Sequence, residues 1–408
     1  MSSDISNSGN TPQDNVPKGQ LPPESKPKFW NDPRKRSLLF QILLLCGIGM
    51  VFYTIINNTL TNLDQRGITT GFDFISEKAG FGISMSLVEF TAESTYGWVF
   101  VIGLLNTILV AVLGIIGATI LGFILGVARL SDNWLISKFS AVYIETFRNI
   151  PLLLQIFFWY FAVLRALPQP RQSIEFLGTF LNNRGFITPA PVAGEGFGLV
   201  VIALIVGILA SWLTVRWAHK RQDESGKQFP ILWTCVGLVV GLPLLAFFAA
   251  GMPISLDHPE LKGFNFRGGL TIIPELIALW LALTIYTAAF IGETVRAGIL
   301  AVSHGQTEAA SALGLSKGRV LRFIVIPQAM RVIIPPLTSQ YLNLTKNSSL
   351  ATAIGYPDLV NVFAGTTLNQ TGQAIEVIAM TMALYLTLSL LTSLFMNWYN
   401  AKMQLSER

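Results

Sequence analysis

The thirty residues from Trp98 to Val127 carry no charged side chain. A run of about 20 apolar residues is enough to cross the hydrocarbon core of a bilayer as a helix. No water-soluble fold can bury such runs several times over, and this chain has several. Only 12% of its 408 residues are charged, against about 25% in an ordinary soluble domain, and its mean hydropathy is +0.54. Together these predict an all-α polytopic membrane protein. A transmembrane β-barrel is excluded, because barrel strands alternate weakly over about ten residues instead of forming solid apolar runs.

Eight spans can be drawn, at about 38–57, 98–127, 151–167, 198–217, 229–250, 271–291, 332–353 and 374–398. The seventh is the hardest to draw, since it contains Pro335, Pro336 and Lys346. Residues 1–36 read as a disordered cytoplasmic tail, too poor in apolar residues to form a core. A signal peptide is rejected, as the preceding tail is too long and no small-residue cleavage pattern follows the first run. Residues 37–97 form a first span and a periplasmic loop, 98–400 the main transmembrane domain, and 401–408 a cytoplasmic end. With both termini inside, the inner segments hold 20 Lys and Arg and the outer loops six. That asymmetry is the positive-inside bias. It accounts for the net charge of +5, which gives no reason to expect nucleic acid.

Cys46 and Cys235 both lie in apolar runs, so no disulfide framework and no cysteine metal site is expected. His219, His258 and His304 are scattered and carry no metal spacing. A phosphate-binding GxxxxGK[ST] loop is absent, so any nucleotide chemistry belongs to a partner.

The inner segment at 303–327 has helical order of its own. Ser303 and Gln306 have capping-box spacing, and an Ala-rich helix runs through Glu308, Ala309 and Ala310. Gly314 stands where a helix end wants a left-handed residue. Ser316 reads as the N-cap of a second short helix, 317–326, closed by Pro327.

This run resembles the loop signature of permease subunits of bacterial ABC importers: EAA, three residues, Gly, nine residues, Ile, one residue, Leu-Pro. The single departure is Ile326 for Leu. Phe147-Arg148-Asn149-Ile150-Pro151-Leu152-Leu153-Leu154-Gln155 is similar to a segment of the polar amino acid (histidine/glutamine) permeases. So are Ile291 to Ile299 and Lys346-Asn347-Ser348-Ser349-Leu350. Long chains of this plan resemble the permeases of general L-amino acid importers of Gram-negative bacteria.

The resemblance implies a type I importer fold with a five-helix core, an added first helix, and an insertion at about 168–270. It implies an inner-membrane machine with two copies of an ABC ATPase, a second permease that is a related chain or an identical copy, and a periplasmic amino acid-binding protein. The amino acid is the cargo, and ATP and Mg sit on the ATPase with no cofactor on this chain. Glu308, Ala309, Ala310, Gly314, Ser316, Arg319 and Pro327 would carry the docking role.

For the translocation path or its gate the candidates are Glu145, Arg148, Gln155, Glu293, Arg296, Lys346, Asn347, Ser348 and Ser349. Glu145 with Arg148 and Glu293 with Arg296 are three apart, so each pair can close on its own helix. Asn106 and Thr107, polar residues inside the second span, are expected to face the bundle. Lys346 either lines a path or snorkels to the headgroups. The rival reading, a stand-alone ion-coupled transporter, calls for acidic groups at mid-membrane and matching halves, and neither is visible.

Overall fold

The structure, a computed structural model, describes residues 33–65 and 70–403. The tail expected at 1–36 and the end expected at 401–408 lie mostly outside the described residues. Two units are distinguished, with a break at Thr69. The first contributes one helix, α1 (Pro33–Gln65), which takes in the basic cluster 34–36 instead of starting after it. At 33 residues it is about 50 Å long, and most of its described apolar side chains are exposed.

The second unit is built on two parallel helices, α2 (Tyr96–Ala128) and, further along, the helix Pro274–Leu300. Gly114, Ala118, Gly122 and Gly126 put a small residue on one face of α2 at every fourth position. An added Cβ at Gly122 would stand 2.6 Å from the Ile291 side chain, and one at Gly126 2.6 Å from the Gly292 carbonyl oxygen. Small residues let backbones approach, and dense packing then drives association where lipid removes any hydrophobic gain. Ile156, Leu279, Leu283, Ile334 and Leu344 fill the core around this pair.

After α2 the chain forms α3 (Trp134–Asn149) and then α4 (Leu152–Leu164), bent from each other by 105°. Pro151 forces the corner: it holds Ile150 extended, at φ −93° and ψ 125°, as a residue before proline must be. The third expected span is therefore shorter than drawn. α4 has six α-helical and seven π-helical residues, about 20 Å of rise against a core of about 30 Å.

The insertion supplies α5 (Phe197–Ser225) and α6 (Ile231–Ala249), which touch closely where Gly207 meets the Leu238 carbonyl. Short strands flank them, a feature the helical reading did not foresee. β1 (Ile174–Phe176), β2 (Thr179–Asn182), β3 (Gly185–Thr188) and β8 (Leu270–Ile272) form one antiparallel sheet in that order. β4 (Ala190–Ala193) pairs with β5 (Ile254–Asp257), and β6 (Glu260–Lys262) with β7 (Asn265–Arg267). Phe186 of β3 faces Ile272 of β8, so the two ends of the insertion are zipped together beside the core.

α7 (Pro274–Leu300), α8 (His304–Ala312), α9 (Gly318–Ile354), α10 (360–371) and α11 (Ala374–Met403) complete the chain. Pro327 does not end a helix as expected. α9 runs through it, past Pro335 and Pro336, for 37 residues. A π-helical turn at Leu321–Val325 precedes Pro327, and this wider turn accommodates a residue that has no amide proton to give. Among the described residues seven helices are long and apolar enough to cross a membrane, or eight if the bent α3–α4 pair is one span.

Candidate functional site

α8 ends as its glycine predicts. Gly314 has φ +78°, its amide donates to the Ser311 carbonyl, and the Leu315 amide donates to that of Ala310, which closes a Schellman turn. An added Cβ there would meet nothing within 4 Å, so backbone conformation alone selects glycine. Ala310 is buried and packs with Val320 and Val325, with Ile299 and Val302 of the α7 end against them. Glu308, Ala309 and Leu313 face outward. The helix is thus anchored to α7 and α9 by one face and bare on the other.

The expected capping box is not formed. Ser303 is the N-cap, but its hydroxyl makes no cap bond. The Gln306 amide that it would serve already donates to the Ser303 carbonyl. Glu308 instead meets His304 Nδ1 at 3.0 Å. Ser316 stands before the next helix, and its carbonyl accepts from Arg319 and Val320. Arg319 is exposed. Behind α8 lies a cleft of about 800 Å³, lined by Val127, Asp132, Leu300, Thr307 and Leu321 among others.

Beside this cleft the ends of α2, α3 and α7 are tied by charge. Arg129 donates to Glu293 at 2.7 Å and reaches Glu145 at 3.4 Å. Arg296 closes on Glu293 at 2.6 Å through Nη2 and donates again from Nε, as the spacing predicts. The expected Glu145–Arg148 pair is not formed: Glu145 turns to Arg129, and Arg148 lies over the Phe290 ring at 5.3 Å. Gln155 is 4% exposed and donates to the Phe147 and Ile150 carbonyls. It braces the α3–α4 corner by satisfying the last carbonyls of α3.

Lys346, Asn347, Ser348 and Ser349 lie at the other end of α9, about 40 Å along the helix from Gly318. The structure does not bring them to the residues expected to dock the ATPase. Ser348 and Ser349 donate to the Thr345 and Lys346 carbonyls of their own helix, so both hydroxyls are engaged. Lys346 is exposed and forms no ion pair among the described residues.

Residues 226–405 match the family described as the binding-protein-dependent transport system inner membrane component. The permease protein AapQ of a general L-amino acid transport system, from Rhizobium johnstonii, is 54% identical over 92% of this chain and 94% of its own. YhdX of Escherichia coli is 55% identical over 92% and 96%. BztB of Rhodobacter capsulatus, from a glutamate/glutamine/aspartate/asparagine transport system, is 42% identical over 92% and 96%. The chain belongs to this permease family.

It is therefore a multi-pass inner-membrane component of an ABC importer, a permease and not an enzyme. Importers of this family work with an ATPase and a binding protein, and the permease fold must meet both.

Two groups of this permease escaped the sequence reading. Arg129 carried no signal, because its partners are 16 and 164 residues away. Asp358 falls in the polar stretch between α9 and α11, yet it is fully buried. Its carboxylate accepts from the Asn361 amide and from Tyr385. Around it Tyr356 donates to the Asn106 carbonyl, Asn106 donates to the Met85 and Pro357 carbonyls, and the Leu359 amide donates to Thr107. Asn106 and Thr107 do face the bundle, where they fasten the 356–359 corner to α2.

Proposed function

We propose that this permease forms the translocation path of an ATP-driven amino acid importer and that α8 is the element on which the ATPase acts. The observation that carries the reading is a Gly314-closed helix, anchored to both α7 and α9 by Ala310 and bare on its outer face. A push on that face reaches two core helices at once. α7 is packed along α2 through Gly114, Gly122 and Gly126, and Arg129 holds their ends together. Such a body moves as one, the rocking expected of alternating access.

In this reading both termini and α8 are cytoplasmic, and the strands of the insertion are periplasmic. Two copies of the ATPase bind ATP and Mg, and a second permease, identical or related, completes the path. A periplasmic binding protein delivers the amino acid. The relatives' amino acid systems and the matched motifs support that cargo.

The test is a cysteine at Ala309, with Cys46 and Cys235 replaced, paired with cysteines on the ATPase surface. Cross-linking whose yield changes on adding ATP and Mg is expected, together with loss of amino acid uptake once the link is locked. Absence of any cross-link in a complex that still transports would remove α8 from the drive.

A further inference from the structure

At the opposite end of the core from α8, the insertion holds a pocket of about 270 Å³ lined by Gln169, Pro170, Arg171, Asn183, Arg184 and Phe264. Two of its six lining residues are arginines and none is acidic. The pocket is a built one. Arg171 donates from Nε to the Gly263 carbonyl and lies 4.3 Å over the Phe264 ring, which joins the two halves of the insertion across 92 residues. The other wall is braced by buried Asn182, which accepts from the Arg184 amide and donates to Ser173. The Asn183 amide donates to the Pro168 carbonyl. The Arg184 guanidinium has no hydrogen bond or ion pair among the described residues, and the terminal nitrogens of Arg171 are also open.

Large apolar side chains stand exposed on the same insertion. Phe264 is 73% exposed, and Leu177 is 84% exposed at a hairpin tip. Leu177 has φ +48°, a conformation that a residue with a Cβ adopts only under constraint. Arginine beside exposed aromatic and apolar side chains is the composition of a protein-binding hot spot. A planar guanidinium pair fits a carboxylate.

We propose that the Arg171–Arg184 pocket seats an acidic side chain of the binding protein when it docks on this permease. The proposal rests on the importer reading above, which places this end of the core on the binding protein's side. It adds the position and chemistry of one contact.

The test uses the complete transporter, with its ATPase and second permease, in lipid nanodiscs, titrated with its amino acid-loaded binding protein. ATPase stimulation is the readout. Arg184→Glu, which breaks no bond within the fold, and Arg171→Glu/Arg184→Glu should raise the half-saturating binding-protein concentration about three- to tenfold. The rate at saturation should stay near wild type, and the salt dependence of half-saturation should flatten. Reversing one acidic residue of the binding protein to Arg should restore the response of Arg184→Glu.

An unchanged half-saturation for Arg184→Glu at wild-type abundance would overturn the pocket. So would a variant that loses rate even at saturating binding protein, since that would make the arginines part of the path for a free amino acid carboxylate. A wild-type complex that ignores the binding protein would instead strike the importer reading, a distinguishable failure.

Discussion

Arg129, at the end of α2, and Glu293, near the end of α7, meet at 2.7 Å although 164 residues separate them. The same guanidinium reaches Glu145 on α3, so one side chain ties three helices beside α8. Both groups of the closest pair are only partly exposed, at 21% and 26%. Replacing Arg129 therefore leaves Glu293 with Arg296 alone and frees the α3 end.

Arg129→Gln is expected to lower thermal stability by about 1 kcal/mol and to reduce uptake more than ATP hydrolysis, because drive from α8 would no longer move α2 with α7. A double-mutant cycle of Arg129→Gln with Glu293→Gln should give a coupling of about 1 kcal/mol. The same cycle on Arg148 and Glu145 should give none. A coupling on Arg148 and Glu145 instead would show that the local i,i+3 pair is the one formed.

Gly314 tests the proposed docking role of the turn that closes α8. Its φ of +78° costs a residue with a Cβ on the order of 1 kcal/mol, and no neighbour adds a clash. Gly314→Ala and Gly314→Asp should leave the permease in the membrane at normal abundance but lower co-purification of the ATPase and uptake. Gly314→Asn, more tolerant of that conformation, should fall between. Equal retention of the ATPase by all three would detach the turn from docking.

Gly122 and Gly126 test the α2–α7 contact. Gly122→Val or Gly126→Val would overpack the seam against Ile291 and the Gly292 carbonyl, with a penalty of about 1–3 kcal/mol or more. Reduced abundance and a lower unfolding temperature in detergent are expected. Gly117→Ala, which meets the Thr284 side chain, should be milder, and the order of the three is the check.

Asp358 tests the 356–359 corner. Its buried carboxylate accepts from the Asn361 amide and from Tyr385. Asp358→Leu leaves both donors without an acceptor, at about 1–3 kcal/mol for each buried group, and a lower unfolding temperature in detergent is expected. Asp358→Asn keeps an acceptor for the Asn361 amide and should lose less. Equal losses for the two variants would mean that the corner does not rest on these hydrogen bonds.

The sequence alone determined what depends on local composition. Apolar runs located every long helix, although several helices run past the drawn ends, α9 by 14 residues at its start, and the glycine after the Ala-rich helix marked a left-handed cap at Gly314, since few residues besides glycine suit that backbone. The Glu293–Arg296 pair was legible for the same reason, its partners being one helical turn apart. Only the tertiary structure decided where Arg129 and Glu145 went, because a long side chain takes the partner that packing brings near. It also decided that Asp358 is buried in a stretch that hydropathy reads as loop. Strands of three or four residues are too short to show a period of two, and their pairing depends on residues far along the chain, as Phe186 with Ile272. The passage of α9 through Pro327 had the same origin. A proline by itself predicts a stop, and a π-helical turn in a helix held by its neighbours absorbs it.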